Sequence, residues 1–431
     1  MYIKLFYSFF FLLITVNTFG QHATPLKPRI LVSTDIGGTD PDDNQSLIHL
    51  LMYSEKFRLE GLVSSPSYGE GSKEEILRTI DLYEKDLPML SKHVKGMISP
   101  QLLKSITKQG RKGAAPFKGY DTETEGSDWI VTCAKKKNKD PLWILVWGGL
   151  EDVAQALHDA PEIQKKLKVF WIGGPNKKWS ANSYAYIVSN FPDLWFIESN
   201  SSYYGFFSQN TADDISNKNY YKNYINEAGF LGKDFKANRY KGNIKMGDTP
   251  SLLYMMDGDP NDPTKESWGG SYEKFYRSPR VIFERNLTIN DTVVVFSIAE
   301  LRFKGPTIDI DKDKPCFKMV VKAKIGEQSW DGYYIGDGNY AVRYIPKQTE
   351  TIQYAISSSI PELNGQSGQF FVSNIWPGKQ NIHDYILGND YYTDKQNAEL
   401  YDGLWQGGKT VLKWRSDVLR DWAKRWGWLN K

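Results

Sequence analysis

The sequence predicts an α/β fold: an open, mostly parallel β-sheet flanked by helices, followed by a small antiparallel β-sandwich and a helical end. Three observations predict it. Short apolar runs alternate with amphipathic stretches from Arg29 to about Tyr254, β-rich runs separated by turns extend from Leu287 to Val372, and an apolar stripe with helical spacing follows near the end. Strands and helices that alternate along a chain form parallel sheets covered by helices, so the first stretch carries the main fold.

The first stretch divides into strands and helices in a regular order. Strands are predicted at 30–34, 59–65, 142–149, 168–174 and 194–199, with helices at about 42–54, 73–86 and 151–160. The strands are nearly continuous apolar runs, such as LWILVWGG, which are typical of strands buried on both faces. In such a sheet, ligands bind beyond the carboxyl ends of the strands.

The later segments predict a second module and a final helix. Runs such as TVVVFSIAEL and CFKMVVKAKI, separated by turns such as DGYYIGDGN, favour an antiparallel sandwich. Residues 413–429 carry an apolar stripe at helical spacing, which must pack on a large surface, formed by Val418, Leu419, Trp422 and Trp426.

Composition narrows the class of protein. The 431 residues carry a formal net charge of +3 without a dense block of Lys or Arg, so no nucleic-acid partner is expected. Lys4 followed by an apolar run from Leu5 to Val16 is typical of a signal peptide and too short to predict a membrane span. We therefore expect a secreted or periplasmic protein. The two cysteines, Cys133 and Cys316, allow one disulfide, although two unpaired buried thiols are favoured.

Four aspartates crowd the segment TDIGGTDPDDNQSL, directly after the first predicted strand. They are Asp35, Asp40, Asp42 and Asp43. Pro41 suits the first position of a helix, Asp40 suits its N-cap, and acidic residues in a first turn complement the helix dipole. Capping explains only part of the cluster, and carboxylate oxygens are the ligands that Ca²⁺ prefers. The residues alone leave capping and cation binding open.

The motif TDIGGTDPDDNQSLIHLL resembles the nucleoside-hydrolase-like domain of secreted bacterial proteins described as cellulose-binding, within the inosine-uridine nucleoside hydrolase superfamily. LVWGGLEDVAQAL, FWIGG, NFPDLWFI, GDTPSLLYMMDGDP and SWGG follow in the order of that family. The resemblance covers about 27–285 and resumes at YYTD near 391. Between these parts, the segment that begins IGDGNYAVRYIP resembles the immunoglobulin-like module of bacterial polysaccharide-degrading enzymes.

The resemblance implies a domain organisation with an insertion. After the signal peptide that the residues predict at 1–20, it divides the chain into a nucleoside-hydrolase-like domain at 27–285, an inserted immunoglobulin-like β-sandwich at 286–378 and a segment at 379–431 that returns to the hydrolase-like domain. Insertions at surface loops are tolerated because the chain ends there lie close together.

The resemblance also implies a calcium site and a general base. Nucleoside hydrolases hold Ca²⁺ with three aspartates and a backbone carbonyl, and the matching positions are Asp35, Asp43, Asp248 and, to within one residue, the carbonyl of Glu151. Asp42 matches the general base, which would activate a metal-bound water. Asp40 has no counterpart in the family. It is expected to contact substrate, to replace Asp35 as a ligand, or only to cap the helix.

Two departures from the family weaken an assignment to nucleosides. Gly247 stands where these enzymes commonly have a histidine that helps the base to leave, and the sugar-binding segment is replaced by GGPNKKWSANSYAYIVSNF. Candidate sugar-binding residues, each with turn formation or local packing as its alternative role, are Asn176, Trp179, Asn182 and Trp268.

Three functions remain open at this stage. The first is an exported Ca²⁺-dependent glycosidase that cleaves an N- or O-linked furanoside, derived from a glycan, with inversion. The second is a non-catalytic protein that binds carbohydrate, such as a cellulose-like polysaccharide, on a nucleoside-hydrolase scaffold. The third is a structural cell-surface protein without metal. Expected partners are a carbohydrate or nucleoside-like small molecule or a polysaccharide, and an oligomer is compatible with the sequence.

Overall fold

The computed structural model describes residues 27–38, 40–207, 213–236, 242–323 and 326–430. The signal peptide predicted at 1–20 lies outside these residues. Within the described ranges, the helices are all too short or too polar to cross a membrane.

The described chain contains strands in two main groups and helices chiefly around the first group. In chain order the strands are β1 (Arg29–Thr34), β2 (Arg58–Ser64), β3 (Thr107–Gln109), β4 (Leu142–Val146), β5 (Leu167–Ile172), β6 (Trp195–Ser199), β7 (Tyr272–Lys274), β8 (Arg277–Ser278), β9 (Arg280–Phe283), β10 (Thr292–Val294), β11 (Ile298–Lys304), β12 (Pro315–Ala323), β13 (Gly326–Gly336), β14 (Asn339–Tyr344), β15 (Thr351–Ser358), β16 (Ser367–Ser373), β17 (Tyr385–Ile386) and β18 (Tyr391–Asp394). The α-helices are α1 (Asp42–Met52), α2 (Lys73–His93), α3 (Pro100–Ser105), α4 (Glu125–Lys135), α5 (Glu151–Asp159), α6 (Asn176–Trp179), α7 (Ala181–Asn190), α8 (Asn217–Tyr220), α9 (Gly229–Lys233), α10 (Thr249–Asp257), α11 (Gly408–Leu412) and α12 (Arg415–Leu429).

The first sheet has the strand order β3-β2-β1-β4-β5-β6-β18-β7. Neighbouring strands are parallel except for the edge pair β18 and β7. Side chains from alternate positions of β1 enter two different hydrophobic clusters, with Leu31 packed towards α4, α5 and α7, and Val32 packed towards α1, α10 and α12. Burial on both faces explains the continuous apolar runs of these strands. The predicted mostly parallel sheet flanked by helices is confirmed.

The second sheet joins eight strands in the order β10-β16-β15-β12-β13-β14-β11-β9. Most pairs are antiparallel, whereas the outer pairs β10–β16 and β9–β11 are parallel. The rings of Tyr344 in β14 and Phe370 in β16 lie 6.2 Å apart. These strands are four positions apart, which would separate them by about 19 Å in a flat sheet. The sheet therefore folds over on itself as a sandwich, and it includes β9, which precedes the boundary predicted at 286.

The segments that lead into and out of the second sheet lie next to each other. β8 and β17 pair antiparallel, with Ser278 opposite Tyr385. After β17 the chain supplies β18, which lies between β6 and β7 in the first sheet. The chain after the second sheet therefore completes the first sheet.

Helix α12 covers the first helices of the chain, and all four residues of its predicted apolar stripe are buried. The ring of Trp422 lies 4.6 Å from that of His49 in α1, and Arg425 forms an ion pair with Glu55. Both cysteines are free; Cys133 is buried as predicted, whereas Cys316 is only half-buried.

Candidate functional site

Three carboxylates converge beyond the carboxyl end of β1, at the edge where the sequence predicts a site. Asp42 and Asp43 lie in the first turn of α1, and Asp248 directly precedes α10. One oxygen of each carboxylate lies within 4.8 Å of the others. The loops after β1 and before α10 are far apart in the chain, so the fold itself brings these charges together.

Asp35 adjoins this triad. Burial and repulsion from Asp42 raise the pKa of Asp35 to about 7, and its side chain hydrogen-bonds with Asp43. Asp43 is buried, and its Oδ1 accepts a hydrogen bond from Thr34 Oγ1. Burial and the neighbouring carboxylates also raise the pKa values of Asp43 and Asp248 well above the usual range. The four carboxylates therefore disfavour one another's ionised forms.

Asp248 supplies the clearest sign that the cluster suits a cation. Its Oδ2 is buried and has no hydrogen-bond partner among the described residues. A buried oxygen without a partner is costly, and unpaired buried carboxylates are more so. A divalent cation would satisfy this oxygen and offset the repulsion, and an all-oxygen donor set suits Ca²⁺. The structure thus brings Asp43 and Asp248 together with Asp42, and Asp35 joins them through its hydrogen bond with Asp43. That Asp35, Asp43 and Asp248 are the calcium ligands remains a prediction from the resemblance.

Lys245 pairs with two aspartates of the cluster and was not singled out from the sequence. Its Nζ lies 3.2 Å from Asp42 Oδ2 and also pairs with Asp40, whose side chain is 56% exposed. Burial disfavours the charged lysine, yet Asp42 and Asp40 raise the pKa of Lys245. Pro41 itself takes the N-cap position, and its side chain makes no capping hydrogen bond. Asp40 therefore pairs with a lysine and does not occupy the N-cap predicted for it.

A small cavity opens beside the carboxylates. Its volume is about 110 Å³, and besides the aspartates and Lys245 it is lined by Trp147, Ile172, Pro175, Asn176, Tyr203, Tyr204 and Phe207. Tyr203 and Tyr204 were missed in the sequence, although they follow the strand predicted at 194–199 and so lie at its carboxyl end. Asp394 of β18 holds this turn by accepting backbone hydrogen bonds from Asn200 and Ser201.

Asn176 is the predicted sugar-binding residue that lines this cavity. Its Nδ2 donates to the carbonyls of Trp147 at 2.7 Å and Ile172 at 3.0 Å, and its Oδ1 accepts from Ser67 Oγ at 2.7 Å. Because these bonds occupy both ends of the amide, Asn176 shapes the cavity wall and joins it to the loop after β2.

The other predicted residues lie outside the cavity. Glu151 is buried at the start of α5, where burial raises the pKa of its side chain to about 8. Asn182 donates to the Ala115 carbonyl at 3.0 Å, and Trp179 stacks on Trp330 of the second sheet. Trp268 lines a separate groove near α12. The side chains of Asn182, Trp179 and Trp268 thus do not line the cavity. The backbone carbonyl of Glu151, which the resemblance implies as a calcium ligand, stays a prediction.

The family model of the cellulose-binding Sde182, nucleoside hydrolase-like domain matches residues 29–272, and a domain of unknown function, DUF5060, matches 292–359. No curated protein matches the chain.

Solved structures with a related fold include nucleoside hydrolases. A nucleoside hydrolase-related hypothetical protein from Saccharophagus degradans, associated with carbohydrate metabolism, is 19% identical with a TM-score of 0.48, over 80% of this chain and 99% of that one. The inosine-uridine preferring nucleoside hydrolase from Bacillus anthracis is 14% identical with a TM-score of 0.38, over 59% of this chain and 86% of that one. The purine-preferring ribonucleoside hydrolase from Gardnerella vaginalis is 16% identical with a TM-score of 0.33, over 53% and 80%.

The family model spans more than half of the chain and begins at the strand that leads into the aspartate cluster. The resemblance stated from the motifs is therefore confirmed. The chain belongs to the family of the cellulose-binding Sde182, nucleoside hydrolase-like domain.

Proposed function

We propose that the protein hydrolyses a glycosidic bond of a furanoside derived from a glycan, with Ca²⁺ bound by Asp35, Asp43 and Asp248. The observation that carries the proposal is the convergence of carboxylates from α1 and from the start of α10, with one buried oxygen of Asp248 left without a partner among the described residues. A calcium ion there supplies positive charge and free coordination positions for sugar hydroxyls.

In this proposal Asp42 acts as the general base. Its side chain is 16% exposed and lines the cavity, so a water inside the cavity can reach it. Asp42 would take a proton as that water attacks the anomeric carbon from the face opposite the leaving group, which gives inversion. The bond to the leaving group breaks as the new C–O bond forms, and the leaving group departs with the bonding electrons and takes a proton from solvent. Burial raises the pKa of Asp42 well above its usual range and so favours the protonated form, whereas Lys245, at 3.2 Å, acts in the opposite direction. A bound cation would likewise favour the ionised carboxylate that a base requires. The aromatic wall formed by Trp147, Tyr203 and Tyr204 limits the entry of bulk water.

Export favours a glycan-derived substrate over a nucleoside. The signal peptide predicted at 1–20 and the resemblance of 286–378 to modules of polysaccharide-degrading enzymes both support this choice. The family description as cellulose-binding supports a carbohydrate partner as well.

The alternative is a carbohydrate-binding protein that retains the metal site without turnover. Two observations favour it: Lys245 forms an ion pair with the proposed base, and Gly247 stands where nucleoside hydrolases commonly have a histidine. In this alternative, Asp42 helps to bind hydroxyl groups.

Replacing the base separates the two functions. We expect the wild type to cleave a p-nitrophenyl furanoside and Asp42→Asn to lower kcat by about 10²- to 10⁴-fold, since general-base catalysis contributes on that scale. Calcium binding, measured by calorimetry, should persist in the variant. Asp40→Asn is the matched comparison at an exposed carboxylate and should lower kcat much less. If the wild type cleaves nothing in a panel of furanosides and nucleosides yet binds polysaccharide, the alternative holds.

A further inference from the structure

Three aromatic rings form a row, which we call the aromatic row, and two of them lie on segments that are joined to the cavity wall through Asn176. The ring of Tyr68 lies 5.0 Å from that of Trp179, and Trp179 stacks on Trp330 at 5.1 Å with an interplanar angle of 11°. The rings come from three separate parts of the fold: the loop after β2, the end of α6, and β13 of the second sheet. Tyr68 is 69% exposed and Trp179 is half-buried.

The loop that carries Tyr68 is attached to the candidate site at several points. The Ser72 amide donates to the carbonyl of Ile36, the neighbour of Asp35, at 2.8 Å. Ser67 Oγ donates to Asn176 in the cavity wall at 2.7 Å. These bonds fix the base of the loop against the carboxylate cluster, and Tyr68 directly follows the residue that is bonded to the cavity wall.

The second sheet supports the row from behind. Trp330 is only 8% exposed, and its Nε1 donates to the carbonyl of Lys178 at 3.0 Å. Lys178 Nζ in turn donates to Gln328 Oε1 at 2.7 Å. Local packing alone is enough to explain the contact between Trp179 and Trp330. Packing does not account for Tyr68, because most of its ring faces solvent.

The cavity is too small to enclose an extended ligand. Its volume of about 110 Å³ is well below the roughly 300–1,000 Å³ of sites that enclose a drug-sized molecule. A ligand longer than one sugar must therefore continue over the surface outside the cavity. Aromatic rings offer flat apolar faces of low conformational entropy, and the C–H faces of sugar rings match them.

We propose that the ligand of this site is a linear oligosaccharide, with one unit in the cavity and the following units stacked on Tyr68 and Trp179. The identity of the unit in the cavity rests on the proposed function, whereas the role of the row does not depend on turnover. The second sheet then acts as part of the ligand site, because Trp330 orients Trp179.

Calorimetric titration of the full chain tests this inference. Arabinohexaose and cellohexaose serve as probes for a furanosyl and a pyranosyl chain, and the matching monosaccharides serve as single units. All variants carry Asp42→Asn, so that hydrolysis does not interfere. We expect one hexasaccharide to bind more tightly than its monosaccharide. The ratio of the hexasaccharide affinity to the monosaccharide affinity should fall about tenfold in Tyr68→Ala.

Controls distinguish stacking from general effects. Tyr68→Phe keeps the ring and should stay within about twofold of the parent, and Tyr276→Ala removes a tyrosine that is 55% exposed elsewhere and should retain the ratio. Trp330→Ala should reduce the ratio as well, provided that its melting temperature shows a folded protein. The inference is overturned if neither hexasaccharide binds, or if Tyr68→Ala preserves the ratio. If Tyr68→Ala reduces the ratio while the wild type cleaves no glycoside, the binding role of the aromatic row is supported and the proposed hydrolysis is wrong.

Discussion

At the scale of single residues, Asp248 shows the cost of the carboxylate cluster. Its Oδ2 is buried without a partner among the described residues, and burial together with repulsion from Asp43 raises its pKa. Buried like charges destabilise a fold unless protons or a cation offset them. The cluster should therefore weaken the folded state without metal and stabilise it with metal.

Asp248→Asn should show both effects. In EDTA we expect its melting temperature to equal or exceed that of the wild type, because one repelling charge is gone. In excess CaCl2 the wild type should gain stability, about 2.7 kcal/mol at a hundredfold excess over Kd, and the variant should lose most of this gain. Scanning calorimetry measures both. Asp257→Asn, at the other end of α10, is the control and should keep the full calcium effect. A full calcium effect in Asp248→Asn would exclude this residue as a ligand.

His49 predicts a dependence of stability on pH. It is buried between Tyr53 and Trp422, and neither ring nitrogen has a hydrogen-bond partner among the described residues. Burial and then the charge of Arg425 lower its pKa from 6.5 to about 3. As pH falls below 6.5, the unfolded chain binds a proton that the folded chain does not, so stability is complete above 6.5 and decreases towards 3.

The contribution of His49 should amount to about 2 kcal/mol between pH 6.5 and pH 5. Urea unfolding at these two values measures it. His49→Gln removes the titrating group, so its free energy of unfolding should change less than that of the wild type over the same interval. Equal changes in the two proteins would show that His49 has the same pKa in the folded and unfolded states, which would contradict this prediction. The comparison cancels the contribution of the aspartates, which both proteins share.

At the scale of elements, the sequence predicts those strands and helices whose own apolar pattern reflects their burial. β4 and α12 were predicted because continuous apolar runs and a helical stripe reflect burial directly. β7 and β18 were missed because YEK and YYTD carry few apolar residues and become strands only through their partners, as when Tyr391 pairs with Phe196.

The same limit applies to the candidate site. The aspartates after β1 lie in one motif, and the resemblance linked them to Asp248. Lys245, Tyr203 and Tyr204 carry no such pattern, because their place in the cavity depends on which loops meet in the fold. Tyr203 also depends on β18, whose Asp394 holds the preceding turn.

Helix α12 should contribute strongly to stability through Trp422, which is fully buried against His49 and Phe235. Trp422→Ala should lower the free energy of unfolding by about 3–5 kcal/mol, the usual cost of deleting a large buried aromatic side chain. Urea denaturation measures this loss. Trp428→Ala, on the same helix but half-buried, should cost clearly less. Equal losses for the two variants would contradict the packing described for α12.

At the scale of the whole molecule, the two sheets share one hydrophobic core. A continuous cluster of buried side chains runs from β4 and β5 to β12 and β15. Trp376 lies at the junction: its ring contacts Phe275 and Phe296, and its Nε1 donates to Thr393 Oγ1 at 3.1 Å. Such a junction should make the two parts unfold together.

We therefore expect a single heat-unfolding transition for the wild type, with equal calorimetric and van't Hoff enthalpies. Trp376→Ala should divide it into two, because it removes the contacts that couple the sheets. The neighbouring Ile375→Ala, at a side chain that is 70% exposed, should keep a single transition. Two transitions in the wild type would show that the shared core does not couple the sheets.

The position of β18 between β6 and β7 has a consequence for how the protein assembles on the ribosome. The strands of the second sheet, from Arg280 to Ser373, are all made before β18 and leave the ribosome before it. The second sheet can therefore complete its hydrogen bonding while the first sheet still lacks the strand that attaches β7. Domains usually fold in the order of synthesis. In this protein the first sheet begins to be made first, yet it is completed only after the second sheet.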